Sequence, residues 1–574
     1  MDIRPRVLHL TRWGFVATAC AAVLAAGSLS PVTPDNVGRS ADDQSTGVQG
    51  DHIAVSGFSG GKWGDPTADT ASKDAYGKNA AEKDPGSLYT VGRAIGVRGM
   101  WAKHDGAGRN VTGQGVGVAL IDSGVTRVRG LDGPIKVTYG PDLSVEGNGV
   151  LTNEDTFGHG TFMAGIIAGR GATNPSSDLP TAPASIQLGV APDAKIVALK
   201  MATTDGSTDV SQVIAALDWV TEHSVMADGT RVRVITLAYG TDSAQAYQND
   251  PLAAAVENAW KHGVVVVTSV GNSGIDTGRL TDPAIDPYVL AVGAADSRNR
   301  LDGWAHDHTV AASYSNVAAG RHADLIAPGT SLVSLRDPGS YVDANNPQGL
   351  VSGDVSGRLF RGSGTSQAAA VVSGAIADLL QAFPNLTPDQ VKYALTSSAD
   401  AVTNGNANAV GSGMINMHDA FDLAGHIVRN DATGATLRSA AVQTFDPANG
   451  QGSLDAARGG TIPVDSDGNV ISGEVDILGN PWDASAWWQA SSSLTAWSGG
   501  RWMGSTLTGD SWATDDSGLS SARWSSARWS SARWSSADWS SARWSSARWS
   551  SARWSSARWS SARWSSARWS SDSW

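Results

Sequence analysis

At 574 residues the chain exceeds one ordinary compact core, so a large domain with appendages is expected. Its net charge of −13 comes without any basic stripe along the body, which argues against nucleic acid as a partner or substrate. Cys20 is the only cysteine, so no intramolecular disulfide can form.

The N-terminus carries Arg4, Arg6 and Arg12, then an apolar run from Trp13 to Ala26 that is too short to span a bilayer and ends on small residues. Residues 1–28 read as a secretory signal peptide whose removal would also remove Cys20. No later run is long and apolar enough for a transmembrane helix. Residues 29–85, rich in Gly, Asp, Ser and Lys without a sustained period, read as a prosegment or linker.

From residue 86 to 425 short apolar runs alternate with helical patterns. Val116 to Ile121, Ile196 to Leu199, Val232 to Leu237, Val264 to Ser269 and Val289 to Val292 are nearly continuous apolar runs, as in strands covered on both faces. Val210, Val213, Ile214, Leu217 and Val220 share a helical face, and Pro251 opens a second helix towards His262. Thr387, Pro388 and Gln390 supply the N-cap, first turn and capping box of a third, and Met417 to Gly425 reads as a fourth. Such alternation predicts an α/β fold, a doubly wound and mostly parallel sheet with helices on both faces. Ligands of these sheets bind beyond the carboxyl ends of strands, where Asp122 falls.

Residues 426–518 are rich in Gly, Ser and Asp and read as a linker region, with Trp482, Trp487, Trp497, Trp502 and Trp512 spaced by five or multiples of five. From Leu519 the period is explicit. Ser-Ser-Ala-Arg-Trp repeats form a low-complexity tail over residues 519–574, with Trp at every fifth position from Trp524 to Trp574. Nine arginines against Asp538 and Asp572 give this tail about +7, the kind of asymmetry that marks a partner-binding segment. Five steps turn a side chain to the opposite face of a strand, and by about 140° on a helix, so neither yields one aromatic stripe. The tail reads as an arm that orders on a partner. Arg beside Trp suits an anionic, ring-bearing polymer or the cell envelope through charge and cation–π contact.

Three separated stretches carry the chemistry: Ala119-Leu120-Ile121-Asp122-Ser123-Gly124, Gly158-His159-Gly160-Thr161 and Gly364-Thr365-Ser366-Gln367-Ala368. A serine hydroxyl becomes an effective nucleophile when an imidazole takes its proton and a carboxylate orients that imidazole. Taken singly, Asp122 reads as a turn aspartate, Ser366 as an N-cap and Asn272 as part of an Asn-Ser-Gly turn. Together, in the order Asp, His, Ser and each flanked by glycine, they resemble the subtilases over roughly residues 86 to 425.

The resemblance implies a subtilisin-like fold and a secreted serine endopeptidase acting on polypeptides, with Asp122, His159 and Ser366 as triad. Asn272, in Val270-Gly271-Asn272-Ser273-Gly274, matches the family's oxyanion-hole asparagine. Substrate is expected to pair in extended form with Asp205-Gly206-Ser207 and Leu237-Ala238-Tyr239-Gly240, which makes Gly206, Ser207, Ala238, Tyr239 and Gly240 the candidate binding residues. No cofactor is required. Structural calcium occurs in the family, but no ligand cluster here is specific enough to assign. The chain departs from the family pattern at Gln367, Ala370 and Ala238, none of which supplies a reacting group, so altered packing is expected. The alternative is a catalytically retired fold serving as a surface-binding scaffold, against which the intact four-residue constellation argues.

Overall fold

The structure, a computed structural model, describes residues 78–507 except 145, 148–150, 172–175, 205, 207, 297–308, 404–405, 460–473 and 478. Beyond these it describes the backbone of residues 528–529 and 533–534. The expected signal peptide, residues 29–77 of the expected prosegment, Trp512 and the rest of the tail lie outside the described residues.

In chain order the first strands are β1 (Val116–Asp122), β2 (Val137–Asp142), β3 (Lys195–Lys200), β4 (Arg231–Leu237), the two-residue β5 (Tyr239–Gly240), β6 (Val265–Ser269), β7 (Leu290–Asp296), β8 (Val310–Ala311) and β9 (Leu325–Pro328). All but β5 join one sheet in the order β2-β3-β1-β4-β6-β7-β8, with β9 also beside β7. Every pairing is parallel except β7 with β8. β1 is central and buried along its whole length, which explains why its sequence, Val-Gly-Val-Ala-Leu-Ile-Asp, shows no polar alternation. The wholly buried helix His159–Ala168 and the helix Thr365–Ala382 pack together and against the sheet. The helices Val210–Glu222 and Pro251–Lys261 pair with each other against β1 and β6. This is the expected doubly wound α/β fold. A separate antiparallel pair, β10 (Leu332–Leu335) and β11 (Leu359–Ser363), leads into the helix Thr365–Ala382.

The helix starts follow from local chemistry. Thr387 and Gln390 form the expected capping box of Pro388–Ser397. Asp209 and Gln212 form a second one, not foreseen from the sequence, on Val210–Glu222. Asp250 caps Pro251–Lys261 through the Leu252 amide at 2.8 Å. Among the described residues no helix is long and apolar enough to cross a membrane.

Residues 426–507 differ from the linker expected there. The segment contains helices Ala432–Ala440 and Ala484–Ser492 and a hairpin of β12 (Trp497–Ser498) and β13 (Arg501–Trp502). Several polar contacts fix it to Val210–Glu222, two carboxylates of the helix and its cap among them. At the start of that helix, buried Arg458 grips Asp209 through Nε at 2.7 Å and a second guanidinium nitrogen at 3.1 Å. Further along, the wholly buried carboxylate of Asp218 accepts the indole N–H groups of Trp487 at 3.0 Å and Trp502 at 2.8 Å, and the Ser491 hydroxyl. Trp482 packs against both indoles, tilted to Trp487 with ring centroids 5.3 Å apart and stacked on Trp502 at 6.2 Å. Composition suggested a linker because so few residues are apolar. A few buried indoles, each needing a partner for its N–H, suffice to hold the segment.

Two further strands come from the tail. β14 (Arg528–Trp529) pairs with β5, and β15 (Arg533–Trp534) pairs with β11, both antiparallel.

Burial pushes the Asp218 carboxyl up to about 6, with the Ser491 hydroxyl and the two indoles opposing. Between pH 4 and pH 6 the folded chain therefore holds more protons than the unfolded one, and stability falls as pH rises through that window, then levels. The full effect is at most about 3 kcal/mol. Asp218→Asn keeps an acceptor for the indoles and a group for Ser491, so it should fold and lose this slope. Asp218→Ala strands both indole donors and should cost about 3 kcal/mol. Urea unfolding from pH 4 to pH 7, in a Ser366→Ala background, reads both effects; an unchanged slope in Asp218→Asn would contradict the assignment.

Candidate active site

Asp122 is the last residue of β1, at the carboxyl edge of the sheet. Its Oδ1 accepts the backbone N–H of Ser123 at 2.7 Å and meets His159 Nδ1 at 2.8 Å, while Oδ2 lies 3.0 Å from the same nitrogen. Asp122 and His159 are both wholly buried. The ring therefore has one nitrogen committed to a carboxylate, which fixes its plane and directs Nε2 away from Asp122.

His159 opens the helix His159–Ala168. The turn before it brings helix and strand so close that a Cβ on Gly160 would lie 2.0 Å from the Gly124 carbonyl oxygen. Any side chain there would push the imidazole off Asp122, which is the physical content of the glycine after His159.

Asp155, which the sequence reading passed over, holds this turn. Its Oδ1 accepts Gly158 N–H at 2.7 Å and Ser123 Oγ at 2.7 Å, and its Oδ2 accepts Thr161 N–H at 2.7 Å. Ser123 Oγ in turn accepts Gly160 N–H at 2.9 Å. One carboxylate thus ties the residue after Asp122 to both sides of His159. Burial pushes Asp155 up, against the pull of the Thr161 and Gly158 amides and the Ser123 hydroxyl. Asp337, which accepts Thr126 Oγ1 at 2.9 Å, is raised well above the carboxylate range by burial and by the neighbouring Asp155. The sequence offered little signal, because Asp155 lies three residues before the N-cap Gly158 and not at the cap position itself.

Ser366 is the second residue of the helix Thr365–Ala382, whose cap is Gly364. Its Oγ lies 3.5 Å from the Ala238 carbonyl oxygen. Asn272, after β6, accepts both the Thr365 N–H at 2.8 Å and Thr365 Oγ1 at 2.9 Å through Oδ1. With its oxygen held by Thr365, the amide turns Nδ2 toward Gly364, where a Cβ would lie 3.1 Å from that nitrogen. The same Cβ would lie 2.6 Å from Gln367 Oε1, so a larger residue before Thr365 would require the Gln367 side chain to move. Gln367 is wholly buried and neither of its amide atoms has a hydrogen-bond partner among the described residues.

Of the candidate binding residues, Gly206 is described while Asp205 and Ser207 lie outside the described residues. A Cβ on Gly206 would lie 2.9 Å from the Phe157 ring, two residues before His159. Ala238, Tyr239 and Gly240 are buried, and Tyr239 and Gly240 form β5. Among the described residues no group of three or more His, Cys, Asp or Glu side chains is placed to hold a metal ion.

The family model of the subtilases matches residues 113–413. The chain is 31% identical over 318 residues to serine protease AprX of Bacillus subtilis, covering 54% of this chain and 67% of that protein. It is 32% identical over 317 residues to subtilisin Savinase of Lederbergia lenta, covering 54% of this chain and 93% of that protein. The crystal structure of fervidolysin from Fervidobacterium pennivorans aligns with a TM-score of 0.45 at 24% identity, over 58% of this chain and 45% of that one. The chain belongs to the subtilase family and is a subtilisin-like serine endopeptidase.

Proposed function

We propose that this chain is a secreted endopeptidase in which Ser366 attacks the peptide carbonyl, His159 takes and returns the proton through Nε2, Asp122 orients the imidazole and Asn272 donates Nδ2 to the oxyanion. The observation that carries the reading is the buried pair of contacts, 2.8 and 3.0 Å, between His159 Nδ1 and Asp122. A carboxylate so placed selects the tautomer that leaves Nε2 for proton transfer and stabilises the imidazolium that follows. Ser366 begins a long helix, so backbone N–H groups and the positive end of the helix dipole favour negative charge beside it. With Asn272 Oδ1 held by Thr365, the amide is fixed in advance of the reaction, and a donor that need not reorganise acts most strongly on the transition state.

Substrate would lie extended along Ala238-Tyr239-Gly240 on one side and Gly206-Ser207 on the other, held mainly by its backbone. The N-terminal apolar run supports export, and the arginine and tryptophan of the tail suit contact with an envelope or anionic polymer. Asp155 is proposed as a positioning residue that keeps His159 in register with Asp122.

Ser366→Ala should abolish hydrolysis of casein and of small peptides and labelling by a fluorophosphonate, with the fold intact; turnover equal to the parent chain would refute the triad. Asn272→Ala should lower kcat by about 10²–10³ with little change in KM, because the donor meets charge present only in the transition state. A change confined to KM would refute that role. Asp155→Ala should lower kcat by about 10–100-fold through displacement of the imidazole, again with KM nearly constant, and Asp155→Asn should recover part of it. Loss of thermal stability with undiminished kcat would make Asp155 purely structural.

A further inference from the structure

The arginine–tryptophan tail is the motif that the protease reading absorbs least, and its two described strands lie at the candidate cleft. In β14, Arg528 opposes Gly240 and Trp529 opposes Tyr239. In β15, Arg533 opposes Ser363 and Trp534 opposes Gly362. Both edges adjoin Ser366. Ala238, whose carbonyl is 3.5 Å from Ser366 Oγ, immediately precedes β5, and Ser363 ends β11 three residues before Ser366. β5 pairs with no other strand among the described residues, so its edge is of the kind that accepts an added strand. In this arrangement Ser366 and His159 are 0% exposed.

Both edges receive the same two positions of the repeat. Each edge receives an Arg-Trp pair, the pairs are five residues apart, and Ser530-Ser531-Ala532 joins them in sequence. Ser530, Ser531 and Ala532 lie outside the described residues, and the bond between the two serines is the one taken for the cut proposed below. From Leu519 onward the tail contains no proline, so every residue keeps the N–H that a ladder needs. Because a ladder is made by backbone groups, other pentads of the same sequence can take the same place, and tethering keeps them near the cleft at an effective concentration of about 1 mM.

We propose that the Ser-Ser-Ala-Arg-Trp repeat is a tethered ligand of the catalytic cleft, which competes with external polypeptides and is itself cut between the two serines. The inference rests on the protease reading of the site and names a sequence that the site accepts: small Ser and Ala residues at the reacting bond, with Arg-Trp on each side. In the cut, Ser366 Oγ adds to the Ser530 carbonyl as its proton passes to His159. The Ser531 amine leaves with that proton, and water then releases Ser530 as a carboxylic acid and restores Ser366.

The test compares the full chain with a full-length variant whose residues 519–574 are shuffled, keeping length, composition and charge but not the pentad phase. For binding, both carry Ser366→Ala, and the probe is fluorescein-labelled Arg-Trp-Ser-Ser-Ala-Arg-Trp read by anisotropy. The probe should bind the shuffled-tail chain and bind the native-tail chain about tenfold more weakly, as expected if a tether near 1 mM competes for a site of about 0.1 mM affinity. Equal binding to both chains overturns the proposal, as does equal binding of a probe with the same residues in shuffled order. A probe N-methylated at alternate residues should lose affinity; if it does not, no backbone ladder is involved. With Ser366 intact, mass spectrometry should find the unlabelled peptide cut between its two serines, and a cut elsewhere overturns the proposed cut. Binding is read without turnover. If neither chain hydrolyses peptides or takes a fluorophosphonate, the protease reading fails while the binding comparison still decides whether the tail is the ligand.

Discussion

The candidate site is built around one buried contact, the carboxylate of Asp122 against the imidazole of His159. A wholly buried carboxylate must be met by donors, and Asp122 meets the N–H of the next residue, Ser123, and the His159 ring from 37 residues further along the chain. Meeting that requirement draws the end of β1 and the start of the helix His159–Ala168 together, within a distance that admits no side chain at Gly160. The parallel sheet supplies the rigidity. β1 is flanked by β3 and β4 and covered on both faces, so the position of Asp122 is set by the core rather than by the loop that follows it.

A second carboxylate makes the arrangement robust. Asp155 takes the amides on both sides of His159 and the hydroxyl of Ser123, so the loop, the strand end and the helix start are one hydrogen-bonded unit. Its burial, and that of Asp337 nearby, is the cost of this rigidity, and the raised proton affinity of both carboxyls expresses it. The serine side is organised by the same logic in neutral form. Asn272 spends its oxygen on Thr365, which couples the loop after β6 to the helix that carries Ser366 and orients the amide nitrogen.

The segment after residue 425 extends this scaffold instead of trailing from it. Arg458 on Asp209 and the two indoles on Asp218 clamp one helix, Val210–Glu222, at its start and in its middle. Asp209 follows closely on Gly206, so the clamp also steadies the edge along which an extended chain is proposed to lie. Tryptophans at intervals of five recur beyond it in the tail, where strands β14 and β15 meet β5 and β11. The same residue spacing thus accompanies two different uses: indoles buried against a carboxylate before residue 507, and backbone laid along strand edges after it.

The sequence by itself determined the architecture and singled out the candidate reacting groups. Continuous apolar runs such as Val116 to Ile121 declare buried parallel strands because there is no wet face to alternate with, and Thr387-Pro388 with Gln390 declares a helix start because its chemistry is local. Asp122, His159 and Ser366 were legible because glycine-flanked turns leave a mark at the residue itself. What only the tertiary structure decided lies in contacts between residues distant in the chain. Asp155 looks like any loop aspartate until Ser123, 32 residues away, meets it. Residues 426–507 look like a linker until Asp218, more than 260 residues before Trp487 and Trp502, receives their N–H groups. The five-residue period of the tail fits neither helix nor strand on its own, and only the fold shows that two of its Arg-Trp pairs meet the edges of β5 and β11.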